Sequence, residues 1–267
     1  MSLIVTQISQ FGIIHASDSK LTETRSGKDI DAGSVRKVFP IPYLDSGLSI
    51  AGSFTIGGQP LEEWIKDFIE NQKKEKTLLL SDFANRLRDE LQYRMLPQEK
   101  HDGSIIHIAG YVQSGSFRHP EFWFIRNIKK IDESTGEYIG AGEEFTISED
   151  FWNRDCLERD FMKEFKKGTK IYRLYINGMA EARISFNILQ DDILAFLRKV
   201  WANSNWKFRP PNSLDEMLIL IELYMEVITK MFRISNYDVF YVGGSIQSYL
   251  IPQPANIAPS RSKRSAS

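Results

Sequence analysis

The sequence predicts an α+β fold in which two stacked sheets are covered by helices on their outer faces. Three observations predict it. The chain opens on β-branched runs rather than on a helix. Amphipathic helical periods come in groups, two before the middle and more towards the end. The resulting order is strands, two helices, strands, helices, strands, which is not the strict alternation of a parallel doubly wound sheet. No repeat with a period of about 20 to 50 residues suggests a solenoid or propeller.

Leu3 to Ser9 and Gly12 to Ala16 are rich in Ile, Val and Thr and are separated by Gln10-Phe11, which predicts an opening hairpin. Thr22 to Gly33 is polar and reads as a loop. Val35 to Ile41 and Gly47 to Ala51 predict a second strand pair, joined near Asp45-Ser46-Gly47. After the punctuation of Gly57-Gly58-Gln59-Pro60, the residues Leu61, Trp64, Ile65, Phe68 and Ile69 recur at three- and four-residue steps and predict an amphipathic helix. A second helix, with Ser81-Asp82 as its cap, would bury Phe83, Leu87, Leu91 and Met95 and end at Pro97.

Ser104 to Val112 and Glu121 to Ile128 return to strand character around a turn at Gln113-Ser114-Gly115-Ser116. Helices are expected over Ser148 to Lys167, Ile184 to Trp201 and Ser213 to Phe232. The last opens with the capping-box pattern Ser213-Leu214-Asp215-Glu216. A closing strand pair is expected within Val239 to Ile251.

With 267 residues, 42% hydrophobic and 26% charged, the chain can bury a substantial core, and no linker divides it. One domain over residues 1–251 is expected. The Ser/Pro/Ala-rich segment 252–267, with Arg261, Lys263 and Arg264, reads as a disordered tail. A formal net charge of -1 argues against a nucleic-acid partner, so the aromatics Phe122-Trp123-Phe124 and Trp201, Trp206 and Phe208 read as core or interface residues. The apolar stretch Met217 to Ile221 is cut short by Glu222 and Glu226, and the first residues lack a secretory pattern, so no membrane partner is expected. The single cysteine, Cys156, suits a reducing compartment, with the cytoplasm as default. His15, His101, His107 and His119 are scattered without metal-ligand spacing, so no metal is expected.

Three stretches carry a resemblance: Ala16-Ser17-Asp18-Ser19-Lys20, then Gly33-Ser34-Val35-Arg36-Lys37-Val38, then Ile50-Ala51-Gly52-Ser53. Together they resemble the catalytic half of proteasome β subunits and their ancestral bacterial relatives, within the N-terminal nucleophile hydrolases. Asp18 follows Ser2 by sixteen residues, the family's interval, while Lys37 follows Asp18 by nineteen, about three more than usual, a surplus that fits the loop Glu23 to Gly33. Weaker matches are Tyr138-Ile139-Gly140-Ala141-Gly142, where the family commonly has serine in place of Ala141, and Asp238 to Gly244, where Tyr241 replaces a serine.

The resemblance implies a four-layer αββα sandwich and a catalytic set of Ser2, Asp18, Lys37 and Gly52, supported by Ser19, Gly142 and Asp238. A serine hydroxyl needs a base, and a serine that begins a chain carries one in its own α-amine. Lys37 would favour the neutral amine, Asp18 would hold Lys37 charged, and the Gly52 amide would receive the developing oxyanion. All of it requires removal of Met1. The resemblance further implies amide, and specifically peptide, substrates without a cofactor, and homo-oligomeric rings or a helical array. Alternatives are a silent scaffold subunit, as in proteasome α subunits, and a small-molecule amidase.

Overall fold

The computed structural model describes residues 2–25, 28–77, 79–101, 103–115, 117–128, 140–149, 172–201, 209, 211–235 and 242–254. Strands β1 (Leu3–Ser9) and β2 (Gly12–Asp18) form the expected hairpin. They are flanked by β12 (Tyr172–Gly178) and β13 (Ile246–Pro252), giving an antiparallel four-stranded sheet in the order β12-β1-β2-β13. A second antiparallel sheet has the order β11-β10-β9-β6-β5. Its strands are β5 (Val38–Ile41), β6 (Ser46–Ala51), β9 (Ile105–Ser114), β10 (Phe117–Ile128) and β11 (Ala141–Glu149). The chain is therefore a mixed α+β protein built on antiparallel sheets.

Every residue of β1 and β2 is buried, so the alternation that marks a half-exposed strand is absent there. Leu3, Val5, Ile14 and Ala16 share a cluster with residues of α4 (Ala180–Trp201) and α5 (Leu214–Arg233), among them Phe186, Met225 and Ile228. Ile4, Ile8 and Ile13 share another cluster with Ala51, Ile105, Ala109 and Phe124 of the second sheet. Phe39, Leu48, Ile106 and Ile108 of that second sheet join Trp64, Phe68, Phe83 and Leu87 from α1 (Leu61–Lys74) and α2 (Leu80–Arg94). Three apolar clusters thus fasten helices to sheet, sheet to sheet, and sheet to helices.

The Ser213 hydroxyl accepts from the Glu216 amide at 3.2 Å, the capping bond its spacing predicts. Phe122 and Phe124 are buried, as core residues should be. No described helix is long and apolar enough to cross a membrane.

Several expectations are corrected. The loop read over Thr22 to Gly33 is a hairpin of β3 (Lys20–Arg25) and β4 (Lys28–Ser34), a separate two-stranded sheet. Its polar composition hid it: beyond Lys20 its described side chains are half-buried or exposed, and such strands need no apolar alternation. The predicted strand from Val35 begins only at Val38. The second helix starts at Leu80, so Ser81 and Asp82 lie in its first turn and its N-cap Leu79 makes no side-chain bond. Gly57 and Gly58 turn a small hairpin between β7 (Thr55–Ile56) and β8 (Gln59–Pro60), and a short α3 (Pro97–His101) precedes β9.

Ser148, expected to open a helix, lies in β11, and residues 150–167 of that predicted helix fall outside the described residues. So do Met1, Cys156, Trp206, Phe208, Asp238, Tyr241 and residues 255–267. At the C-terminal end, one strand of the expected pair is described. It runs to Pro252, and the Gln253 amide still donates to the Phe11 carbonyl at 3.1 Å, so pairing continues past residue 251.

Candidate active site

Asp18 ends β2 as a fully buried carboxylate, and four donors converge on it. The Leu3 amide donates to Oδ1 at 2.8 Å. Oδ2 accepts from the Lys20 amide at 3.1 Å, the Gly243 amide at 3.2 Å and Lys37 Nζ at 3.2 Å. These three amide donors and the lysine ammonium compensate the carboxylate for the water that burial removes.

Lys37 lies just before β5 and has no exposed surface. Its ammonium donates to the Lys20 carbonyl at 2.6 Å as well as to Asp18 and stands 5.6 Å from the centre of the Phe54 ring. Desolvation by burial pulls its pKa below the ordinary lysine value, while the Asp18 charge and hydrogen bond act the other way. The nineteen-residue interval between Asp18 and Lys37 is therefore closed by a direct buried ion pair. The β3–β4 hairpin accommodates the extra residues, since the Val35 amide returns to the Ser19 carbonyl at 2.9 Å.

Ser2 is 1% exposed, and its hydroxyl is buried with no hydrogen-bond partner among the described residues. Its backbone is fixed: its carbonyl accepts from the Met179 amide at 2.9 Å, and Gly178, with φ of 119°, leaves no room for a Cβ against that carbonyl. The Leu3 bond to Asp18 ties Ser2 to the carboxylate through a single residue of chain.

Gly52 follows β6 with φ of 131°, and a Cβ there would collide with the Gly103 carbonyl and with Ser104. Its neighbour Ala51 shares the inter-sheet cluster with Ile4, two residues from Ser2. Gly142 reaches this neighbourhood indirectly. Asn127 donates to the Gly142 carbonyl at 3.0 Å and accepts from the Ser104 amide at 2.6 Å, beside Gly52. Ser19 faces the turn that supplies the Gly243 amide to Asp18, accepting from the Ser245 amide at 2.9 Å, with Gly244 packed on its hydroxyl. Asp238 lies outside the described residues.

Some participants carried little or no local signal. The Lys20 carbonyl and the Gly243 amide act through backbone, although Gly243-Gly244 stands out as a dipeptide that can approach closely. Gln247 gave no signal at all, yet its side chain bonds the backbone around Lys37.

Two of the four scattered histidines, His15 and His107, come together on Thr6. Thr6 Oγ1 lies 3.0 Å from Nδ1 of His107 and 3.3 Å from Nδ1 of His15, and His107 Nε2 lies 2.6 Å from Asn177 Oδ1. Burial lowers the pKa of His15 to about 4 and that of His107 to about 3, so both are neutral imidazoles near neutral pH. Among the described residues no three His, Cys, Asp or Glu side chains group as a metal site requires. Comparison with models of known protein families finds no match to this chain, and comparison with curated proteins finds none either.

Proposed function

We propose that this chain is an N-terminal serine hydrolase with a proteasome-like four-layer αββα sandwich, cleaving amide bonds of peptides. The observation that carries the reading is the buried Asp18–Lys37 pair, joined through the Leu3 amide to the residue that follows Ser2. A fully desolvated ion pair is a poor route to stability, so its presence beside a buried serine favours a chemical role. The layered fold is supported by the three apolar clusters that stack helices, sheet, sheet and helices.

In the proposed reaction, loss of Met1 frees the Ser2 α-amine. Ser2 Oγ attacks the substrate carbonyl carbon, its proton passing to that amine, and the oxyanion that forms is received by the Gly52 amide. Collapse breaks the C–N bond as the amine returns the proton to the leaving nitrogen, and water hydrolyses the remaining ester. Lys37 keeps the α-amine neutral by its charge, and Asp18 keeps Lys37 in place. Because burial lowers the Lys37 pKa, the alkaline limb of the pH–rate profile falls below the ordinary lysine range.

Assembly into a ring or helical array in the cytoplasm belongs to the same proposal. Ile184, Ile188, Phe196 and Val200 on α4 are exposed, apolar surface of a kind that subunit contacts cover. The burial of Ser2, Asp18 and Lys37 favours a second reading, a scaffold subunit whose site admits no substrate.

Intact mass and probe labelling separate the two. The hydrolase reading expects a purified chain lacking Met1 and a single β-lactone adduct on Ser2 that Ser2→Ala abolishes. Retained Met1 in the native host, or an adduct undiminished by that substitution, refutes it.

A further inference from the structure

Residues 35–37 connect the β3–β4 hairpin to β5 and lie outside both strands, so no ladder holds the Lys37 amide. A side chain takes the ladder's place. Gln247 Oε1 accepts from the Lys37 amide at 2.8 Å, and Gln247 Nε2 donates to the Val35 carbonyl at 2.8 Å. One carboxamide thus grips the backbone on both sides of Arg36 with the donor and acceptor pattern of a neighbouring strand.

Gln247 is rooted where Asp18 is rooted. It lies on β13, opposite Ser17 of β2, and Ile246 beside it pairs with Asp18. The Lys37 carbonyl, in contrast, accepts from the Ile50 amide of β6 at 3.0 Å. The backbone of Lys37 therefore spans the two sheets, its N–H fixed by the sheet that carries Asp18 and its C=O by the sheet that leads to Gly52. We infer that Gln247 is a positioning residue that sets the place of the Lys37 ammonium relative to Asp18 and the Lys20 carbonyl.

Without the carboxamide, residues 35–37 have lost two bonds to the first sheet while Ile50 still anchors them to the second. The Lys37 side chain then shifts against Asp18 and water gains access to it. A displacement of about 1 Å at a catalytic group costs up to about 100-fold in rate. This rate effect rests on the hydrolase reading; the placement of Lys37 does not.

The test uses the full chain and three readouts. In the wild-type protein, the Lys37 amide is expected to exchange slowly with solvent, and fast exchange contradicts the inference without any variant. With lysine labelled at Cε, and the Lys37 resonance assigned by its loss in Lys37→Arg, the Lys37 titration midpoint is expected to rise towards the ordinary lysine value in Gln247→Met. That variant matches the shape of glutamine and removes both polar arms. Gln247→Glu keeps the acceptor for Lys37 and loses the donor to Val35, and should also disturb the midpoint. An unchanged Lys37 midpoint in either folded variant overturns the positioning role.

The third readout is the rate of Ser2 acylation by a β-lactone, expected to fall about 10- to 100-fold in Gln247→Met. A wild-type chain that never acylates at Ser2 sinks the hydrolase reading and leaves the Lys37 midpoint to decide on Gln247. A wild-type chain that acylates, with Gln247→Met acylating equally fast, sinks the positioning role alone.

Discussion

Among the described residues, the polar groups buried around Asp18 and those buried around Thr6 solve the problem of burial in opposite ways. Around Asp18 the groups are charged, and the ion pair is surrounded by amide donors and the Lys20 carbonyl. Around Thr6 the groups are neutral. His107 donates from Nε2 to Asn177, which leaves Nδ1 to accept the Thr6 hydroxyl, and His15 contacts Ser49 and the Ala109 carbonyl. The neutral cluster joins strands of the two sheets, whereas the charged cluster joins the first sheet to the segment that leads into β5. A neutral chain can tie sheets together at little electrostatic cost, so the charged pair calls for an explanation beyond structure.

Breaking the charged cluster should have the largest effect. Asp18→Asn or Lys37→Met alone leaves an uncompensated buried group and is expected to cost about 3 to 5 kcal/mol. The double substitution removes both charges and should restore much of that loss without restoring Ser2 reactivity. Urea denaturation of the three variants checks the first part. If the double variant is no more stable than the singles, the pair is not an isolated charge couple.

Acid should break the neutral cluster. Both native histidines bind protons only near pH 4 and pH 3, whereas the unfolded chain binds them near the ordinary value of 6.5. Between those limits the unfolded state holds more protons. Stability therefore falls as pH drops below about 6.5, by up to about 1.4 kcal/mol per pH unit for each histidine. A pH series of denaturation midpoints should show this slope, and His107→Gln should make it shallower.

Thr6→Val keeps the shape and deletes the hydroxyl shared by the two rings. A loss of about 1 to 3 kcal/mol is expected, because His107 Nδ1 is left buried without a donor. Ser2 reactivity should survive it. At the edge of the charged cluster, Asp31→Asn removes the exposed carboxylate that pairs with the largely buried Lys20 ammonium, and thermal denaturation should show a smaller loss than Thr6→Val does.

The charged cluster could be read from sequence in a way the neutral one could not. Asp18 and Lys37 sit in the short stretches that carry the resemblance to proteasome β subunits, and the opening hairpin, α1 and the cap of α5 follow from local periods and turn chemistry. Thr6 and His107 are 101 residues apart and His107 and Asn177 are 70 apart, so their contacts depend on how the sheets stack. Gln247 and Lys37, 210 residues apart, escape local reading for the same reason. β3 and β4 were hidden by polarity.

The central claim is that the charged cluster serves Ser2. Its most direct test is the second-order rate of β-lactone acylation at Ser2, read by peptide mass after Met1 removal, in the wild-type chain and in the folded Asp18→Asn, Lys37→Met double variant. The account predicts a Ser2 adduct in the wild type and a rate at least about 100-fold lower in the double variant. Equal rates in the two proteins would contradict it.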